Sequence, residues 1–291
     1  MDTLWGDETV TDSTSYRIRL SGATLQVEET GSGDPLLLIH GSLDGMHSFD
    51  RQVPQFSRRY RVICYARRFH PPSEDSTQSE EYTLELHVGD LLALLDALGL
   101  ESAHLVGSSY GAYVALGCAL RAPGRTRSLV LAEPPILPFL RRTGEGQAEL
   151  DRFYRTALQP AREAFARGER LAAVGYFVDG IRGMRGAFGA LPESSREDLL
   201  RFGPELEMEL RTESGDFMPD LPCPALHALK TPALLVTGER SPRLFGLIID
   251  ELERCLKHSK RLEVTGAGHA MHVMNPTGYT RGVLAFLQEA L

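Results

Sequence analysis

A chain of 291 residues with 42% hydrophobic and 24% charged side chains can bury a sizeable core, and its length suits one domain carrying an insertion as well as two in tandem. The formal net charge of −8 excludes a nucleic-acid partner held by a clustered basic face, which leaves a small-molecule substrate as the expected partner of a monomer or homodimer. All but three of the basic residues (Lys230, Lys257 and Lys260) are arginine, which we read as compositional bias.

The first fifteen residues, MDTLWGDETVTDSTS, read as a flexible N-terminal tail. They are acidic and polar, without the basic start and apolar run of an export signal, and no stretch approaches the roughly 20 apolar residues of a bilayer span. The four cysteines, Cys64, Cys118, Cys223 and Cys255, form no CxxC pair and sit in apolar or helical contexts, so reduced structural thiols in a cytoplasmic protein are expected. No histidine or cysteine spacing suggests a metal site.

Alternating patterns over Tyr16–Leu20 and Thr24–Glu28, joined at Ser21-Gly22, predict a β-hairpin. Short apolar runs follow at 36–40, 61–65, 103–107, 128–132, 233–237 and 261–265, each the length of a buried strand in a mostly parallel sheet. Amphipathic helices are expected at 84–98, 110–121, 244–256 and 277–287. The sum is a doubly wound α/β fold, an eight-stranded sheet with helices on both faces. Between Pro138 and Leu221 only helical patterns occur (148–167, 171–178 and 196–210), which predicts an inserted helical cap. The expected division is therefore a core of 16–137 and 222–291 with a cap of 138–221.

The run HLVGSSYGAYVALG places Gly107-Ser108-Ser109-Tyr110-Gly111 between a strand and a helix, the setting of a GxSxG nucleophile elbow. Glycines flank such a serine because the turn is strained and crowded. Ser108 is in the wrong register for the elbow. A serine hydroxyl needs a general base, and the base needs a carboxylate to orient it. His269, in the Gly-rich loop TGAGHAMH after the last predicted strand, is the candidate base, with His272 in reserve. His87, His227 and His258 read as ordinary core or loop histidines. The backbone amides of Ser42, in the turn His40-Gly41-Ser42, and of Tyr110 are candidate oxyanion donors.

These motifs resemble the α/β-hydrolase superfamily, in the branch with an HG oxyanion loop and a helical cap, over essentially residues 16 to 290. RVICYARRFHPPS and LVLAEPP also resemble family segments. The resemblance implies the α/β-hydrolase fold, a serine nucleophile and hydrolytic chemistry. The family most often carries its triad acid after the strand ALLVT, but here Thr237-Gly238-Glu239-Arg240-Ser241-Pro242 puts Ser241 in the aspartate's slot. Glu133, after the strand SLVLA, is the preferred acid, because the carboxyl ends of adjacent strands converge on one crevice; Glu239 is the reserve acid. In RVICYARRFHPPS, Ala66 replaces the usual aspartate and Phe69 and Pro71 replace glycines, while Arg68, His70 and Ser73 keep the pattern. Arg67, Arg68 and His70 read as structural.

The cap aromatics, among them Phe139, Phe153, Tyr154, Phe165, Phe177 and Phe188, read as the cap's own core, with some turned down over Ser109 to give an apolar wall. The arginines between them read as a solvated face rather than a carboxylate site. The expectation is a cofactor-free, metal-free serine hydrolase of esters, thioesters, lactones or activated carbon–carbon bonds, acting on a moderately hydrophobic carbonyl substrate of small to medium size. The alternatives are a lyase, cyclase or acyltransferase using the same Ser/His pair, and a non-catalytic ligand-binding member. An aspartate-nucleophile epoxide hydrolase or dehalogenase is disfavoured by the serine at the elbow.

Overall fold

The computed structural model describes residues 13–75, 82–212 and 218–290. The strands are β1 (Thr14–Leu20), β2 (Ala23–Thr30), β3 (Asp34–Ile39), β4 (Tyr60–Tyr65), the two-residue β5 (Glu74–Asp75), β6 (Ala103–Ser108), β7 (Thr126–Ala132), β8 (Ala233–Gly238) and β9 (Ser259–Val264). Most of the expected tail lies outside the described residues, and its last two residues, Thr14 and Ser15, belong to β1. The eight main strands form one sheet in the order β1-β2-β4-β3-β6-β7-β8-β9, with β5 paired to β2. The β1–β2 and β2–β4 pairs are antiparallel, and the pairs from β4 through to β9 are parallel.

Burial explains the residue types. Strands β6 and β8 are buried at every position, as expected where helices cover both faces, so their sequences are near-continuous apolar runs. The edge strand β1 alternates exposed and half-buried residues and carries the period-2 pattern of a one-sided strand. Helices Leu84–Ala97, Tyr110–Arg121 and Arg243–Cys255 pack on one face, while Val53–Phe56 and Pro276–Glu289 pack on the other. Thr83 caps the first of these through its hydroxyl (3.1 Å to the N–H of Leu86), and Asn275 caps the last (2.9 Å to the N–H of Gly278).

From Leu137 to Ala228 the described chain makes only helices, the pattern expected of an inserted cap over 138–221. The expected helix 148–167 is one continuous path from Gly144 to Ala166 with a π turn at Tyr154–Leu158. Pro160 lies just beyond that turn, where its missing N–H and its ring break the regular ladder. The expected helix 196–210 is two helices, Glu193–Arg201 and Gly203–Arg211, separated at Phe202 ahead of Gly203-Pro204, a pair that starts a helix rather than continuing one.

The cysteines correct the expectation of four reduced thiols. Cys223 and Cys255 are joined by a disulfide, with Cα atoms 5.1 Å apart; Cys64 and Cys118 are free and buried. The short helix Cys223–Ala228 packs on the end of Arg243–Cys255 and brings together two residues that share no recognisable spacing. Because such bonds persist in oxidising compartments, the cysteines no longer support a cytoplasmic placement. Among the described residues no helix is long and apolar enough to cross a membrane.

Thiol titration of the unfolded, unreduced protein should find two free thiols, and four after reduction. Cys223→Ser should lower the unfolding free energy by about 2–4 kcal/mol. Four thiols before reduction would contradict the disulfide.

Candidate active site

Strands β6 and β7 end in register, with Ser108 opposite Ala132, and Ala132 stands opposite Val236 of β8, two residues before that strand ends. The pairing runs one residue further: the N–H of Ser109 donates to the carbonyl of Ala132 (2.8 Å), and the N–H of Glu133 donates to that of Val236 (3.1 Å). Both residues then take positive φ angles, 51° at Ser109 and 45° at Glu133. This is a strained conformation for a side chain-bearing residue, and it turns each side chain out at the carboxyl end of the sheet. The flanking glycines are required by contact. A Cβ on Gly107 would lie 2.4 Å from the Cα of Ala112, and one on Gly111 would lie 2.1 Å from the carbonyl oxygen of Ile39.

His269, on the loop after β9, bridges the two. Its Nε2 lies 3.0 Å from the Oγ of Ser109, and its Nδ1 lies 2.7 Å from Oε2 of Glu133. With Nδ1–H donated to the carboxylate, Nε2 is left to accept the serine proton. The Phe245 ring stacks on the imidazole, with centroids 4.0 Å apart and planes inclined by 13°. Glu133 is fully buried. Its other oxygen, Oε1, accepts from the N–H of Gly238 (2.9 Å) and the hydroxyl of Thr237 (2.8 Å), so the buried carboxylate is satisfied on both sides.

The reserve candidates stand elsewhere. Glu239 is exposed and accepts the N–H of Gly266 at 2.5 Å, bracing the loop that carries His269 without touching the imidazole. Ser241 has no hydrogen-bond partner for its buried Oγ among the described residues. The His272 ring is buried, stacked on Phe49 and 3.6 Å from Asp44.

The HG turn comes so close to Ser109 that a Cβ on Gly41 would lie 2.9 Å from the serine Cβ. Ser42 shares a cavity wall with Ser109, and Tyr110 opens the helix Tyr110–Arg121, where first-turn N–H groups lack helical partners. Buried Arg67 fixes the turn. Its guanidinium donates to the carbonyls of His40 (3.2 Å) and Gly41 (3.1 Å) and pairs with Glu205 of the cap (2.9 Å), and its own N–H donates to Nε2 of His40 (3.0 Å). Burial, with help from the charges of His70 and Arg67, holds His40 well below the usual histidine range, so it is neutral. Arg68 is committed to Asp90 (2.8 Å) and to the carbonyl of Gly22 (2.8 Å).

A second cap carboxylate, Glu209, one helical turn beyond Glu205, receives the hydroxyl of Tyr82 (2.9 Å), and the Ser42 side chain is placed to favour its charged form. Burial opposes ionisation of Glu205, but Arg67 and then His70 more than offset it and hold its carboxyl well below the normal range. Burial and then the charge of Glu205 push Glu209 up to about 7.

Two cavities meet at Ser109 beneath the cap. One, of about 210 Å³, is walled by Leu137, Leu150, Phe153, Leu158 and Leu244; the other, of about 340 Å³, reaches His269, Asp44 and Met274. Phe177 and Ile181 of the cap stand between them and line both. Of the other cap aromatics, Tyr154 joins the first wall, while Phe139, Phe165 and Phe188 are buried in the cap.

Residues 34–276 match the family model described as the alpha/beta hydrolase fold. The chain belongs to that family. Among curated relatives of this α/β hydrolase is the uncharacterized hydrolase YraK of Bacillus subtilis (strain 168), 31% identical over 132 residues that cover 45% of this chain and 49% of that one. Another is the bifunctional epoxide hydrolase 2 of Sus scrofa, 23% identical over 95% of this chain and 55% of that one. The chain thus spans about half the length of these relatives. Among solved structures, naproxen esterase (carboxylesterase NP) from Bacillus subtilis superposes with a TM-score of 0.70 at 18% identity, covering 95% of this chain and 92% of that one; at that identity the likeness concerns the fold.

Sequence reasoning about this α/β hydrolase missed Phe245, Glu205 and Glu209. The segment ELEMEL lies in the expected helix 196–210, and acidic residues on a helix give no sign of facing inward. The available signal was indirect: Arg67, Arg68 and His70 read as structural, and cations that prove buried require carboxylates.

The pH dependence of stability follows. A carboxyl held near 7 in the folded state but near its ordinary value when unfolded contributes stability below the unfolded value, which is lost as pH rises through about 7. Glu209→Gln removes this loss. Its melting temperature relative to wild type should become more favourable from pH 5 to pH 8, by the equivalent of roughly 1–3 kcal/mol. A pH-independent difference in thermal melts would refute the assignment.

Proposed function

We propose that this α/β hydrolase is a serine hydrolase in which Ser109 is the nucleophile, His269 the general base and acid, and Glu133 the residue that orients His269. The observation that carries this reading is the unbroken chain from the Ser109 Oγ through the imidazole to the buried Glu133, at 3.0 and 2.7 Å. The Ser109 oxygen attacks a substrate carbonyl carbon while its proton passes to Nε2 of His269. The carbonyl oxygen takes the negative charge and is held by the main-chain N–H groups of Ser42 and Tyr110. The protonated imidazole then gives its proton to the leaving group as the bond to the carbonyl carbon breaks. Water repeats the sequence on the acyl-enzyme and releases the acid and the free serine. The side chains supply each proton transfer, so the reaction requires no cofactor.

The apolar side chains that dominate the smaller cavity beside Ser109 favour a moderately hydrophobic ester, thioester or lactone of small to medium size. The missing aspartate at 241, which alone motivated a non-catalytic reading, loses its force because a buried, fully hydrogen-bonded carboxylate stands against His269 from the neighbouring strand.

A fluorophosphonate probe should label the wild-type protein and fail to label Ser109→Ala, and short p-nitrophenyl esters should be hydrolysed with loss of all but background rate in that variant. Activity surviving Ser109→Ala would sink the acyl-enzyme mechanism. Glu133→Gln should lower kcat by about 10²–10⁴-fold, while Glu239→Gln should stay within about threefold because its carboxylate braces only the loop. The reverse ranking would move the acid to Glu239.

A further inference from the structure

The smaller cavity beside Ser109 is lined mostly by apolar side chains and the hydroxyls of Ser42, Ser109, Tyr154 and Thr212, and its charged groups among the described residues are two guanidiniums, Arg141 and Arg162. Arg141 is the penultimate residue of the 3-10 turn Leu137–Arg142, and Arg162 lies in the helix Gln159–Ala166 beyond the π turn, so the two come from separate parts of the cap. No Asp or Glu lines this cavity among the described residues, and neither arginine forms an ion pair among them. Arg155, Arg170, Arg182, Arg185 and Arg196 also form no ion pair among the described residues, so what sets Arg141 and Arg162 apart is their shared place on this cavity wall while arginines close by are paired. Arg142, adjacent to Arg141, is bound to Asp220 and Glu251, each at 2.7 Å, and Arg152 and Arg211 pair with Glu149 and Glu207.

Arg162 is the more constrained of the two. It is half-buried, its Nη1 donates to the hydroxyl of Tyr154 at 3.2 Å, and its buried Nε has no hydrogen-bond partner among the described residues. A partly desolvated guanidinium with a donor unmet is unfavourable until an anion arrives, and the planar fork suits a carboxylate. The charge is local, since the chain as a whole carries −8. The second cavity is mixed in sign, with Asp44 on its wall as well as Arg182 and Arg240, which are exposed as Arg141 is, so the first cavity, whose charged groups are cationic among the described residues, is the better end for an anionic group.

Resting on the serine-hydrolase reading above, we propose that Arg141 and Arg162 bind a carboxylate of the substrate, which makes the preferred substrate an ester whose acyl chain ends in a carboxylate, a hemiester of a dicarboxylic acid. The acyl chain lies along Leu150, Phe153 and Leu158 with its carbonyl at Ser109, and the alcohol leaves through the second cavity. The chemistry at Ser109 is that of any ester; the arginines decide which acyl group is presented to it.

The test compares 4-nitrophenyl hydrogen adipate with its neutral counterpart 4-nitrophenyl hexanoate, each corrected for uncatalysed hydrolysis, in wild type, Arg141→Gln, Arg162→Gln and the double variant. The wild type should prefer the hemiester in kcat/KM by on the order of tenfold or more, and that ratio should shrink in about 0.5 M salt. In the double variant the ratio should fall by on the order of tenfold, chiefly through KM of the hemiester. Hydrolysis of the hexanoate by the same preparation reports whether the variant is folded. A wild-type preference for the hexanoate, or a ratio unmoved by both substitutions, overturns the proposal. Calorimetric titration of Ser109→Ala with the hemiester separates it from the parent reading. Binding that disappears when both arginines are also replaced upholds the carboxylate site whether or not Ser109 is the nucleophile, and absence of binding refutes it. Failure of the fluorophosphonate to label wild type counts against Ser109 alone.

Discussion

The site depends on two adjacent parallel strands that stop at the same height beside a third that runs two residues further. Because β6 and β7 end in register, and because the main-chain bonds Ser109 N–H to Ala132 and Glu133 N–H to Val236 carry the ladder one residue past those two strands, Ser109 and Glu133 leave the sheet side by side, about 4.8 Å apart in strand spacing. One imidazole can span that interval. The end of β8, where the family resemblance leads one to expect the acid, instead supplies the hydrogen-bond donors Thr237 and Gly238 that hold the acid coming from β7. The function of that strand end has changed from bearing the carboxylate to fixing it, and the geometry at His269 is maintained.

The second constraint is ionic and joins cap to core. Arg67 is shared between two carbonyls of the HG turn and Glu205, while Glu209 reaches the side chain of Ser42. Lifting the helix Gly203–Arg211 away would strand a buried arginine and a buried carboxylate, a loss of several kcal/mol. That helix is therefore a fixed wall of the active site. The two carboxylates divide their roles by environment: Glu205, closest to Arg67 and His70, carries the charge, and Glu209, beside an already ionised neighbour, holds its proton to higher pH.

The parts of this arrangement legible in the sequence are those with a local cause. Strands β3, β4, β6, β7 and β8 are visible because full burial demands uninterrupted apolar runs, and the elbow is visible because two close approaches of backbone admit only Gly107 and Gly111. Glu133 could be nominated because it follows the strand adjacent to the one that carries Ser109. What was not legible depends on contacts between distant segments. The Cys223–Cys255 bond links residues 32 apart with no motif between them. The pairing of Arg67 with Glu205 spans well over a hundred residues, and an acidic helix that turns two carboxylates inward has the same composition as one that turns them to solvent. The same holds for the cap arginines, whose sequence gives no sign of which ones have a carboxylate within reach.

The tight corner at the end of β8 explains why a serine suffices at 241. A Cβ on Gly238 would lie 2.6 Å from the carbonyl oxygens of both Ala267 and Gly268 and 2.8 Å from the Ser241 Oγ. The histidine loop thus rests directly on the strand end, and it is this contact that brings His269 over Glu133. A carboxylate at 241 would enter a corner whose own hydroxyl is buried without a partner among the described residues, and it would stand near an imidazole that already has its acid. Two carboxylates cannot both take the single Nδ1–H, and the second would be a buried charge without a donor. Once Glu133 occupies the end of β7 with Thr237 and Gly238 as its donors, the physical reason for an acid at 241 is gone, and a small neutral side chain is the residue that lets the loop close.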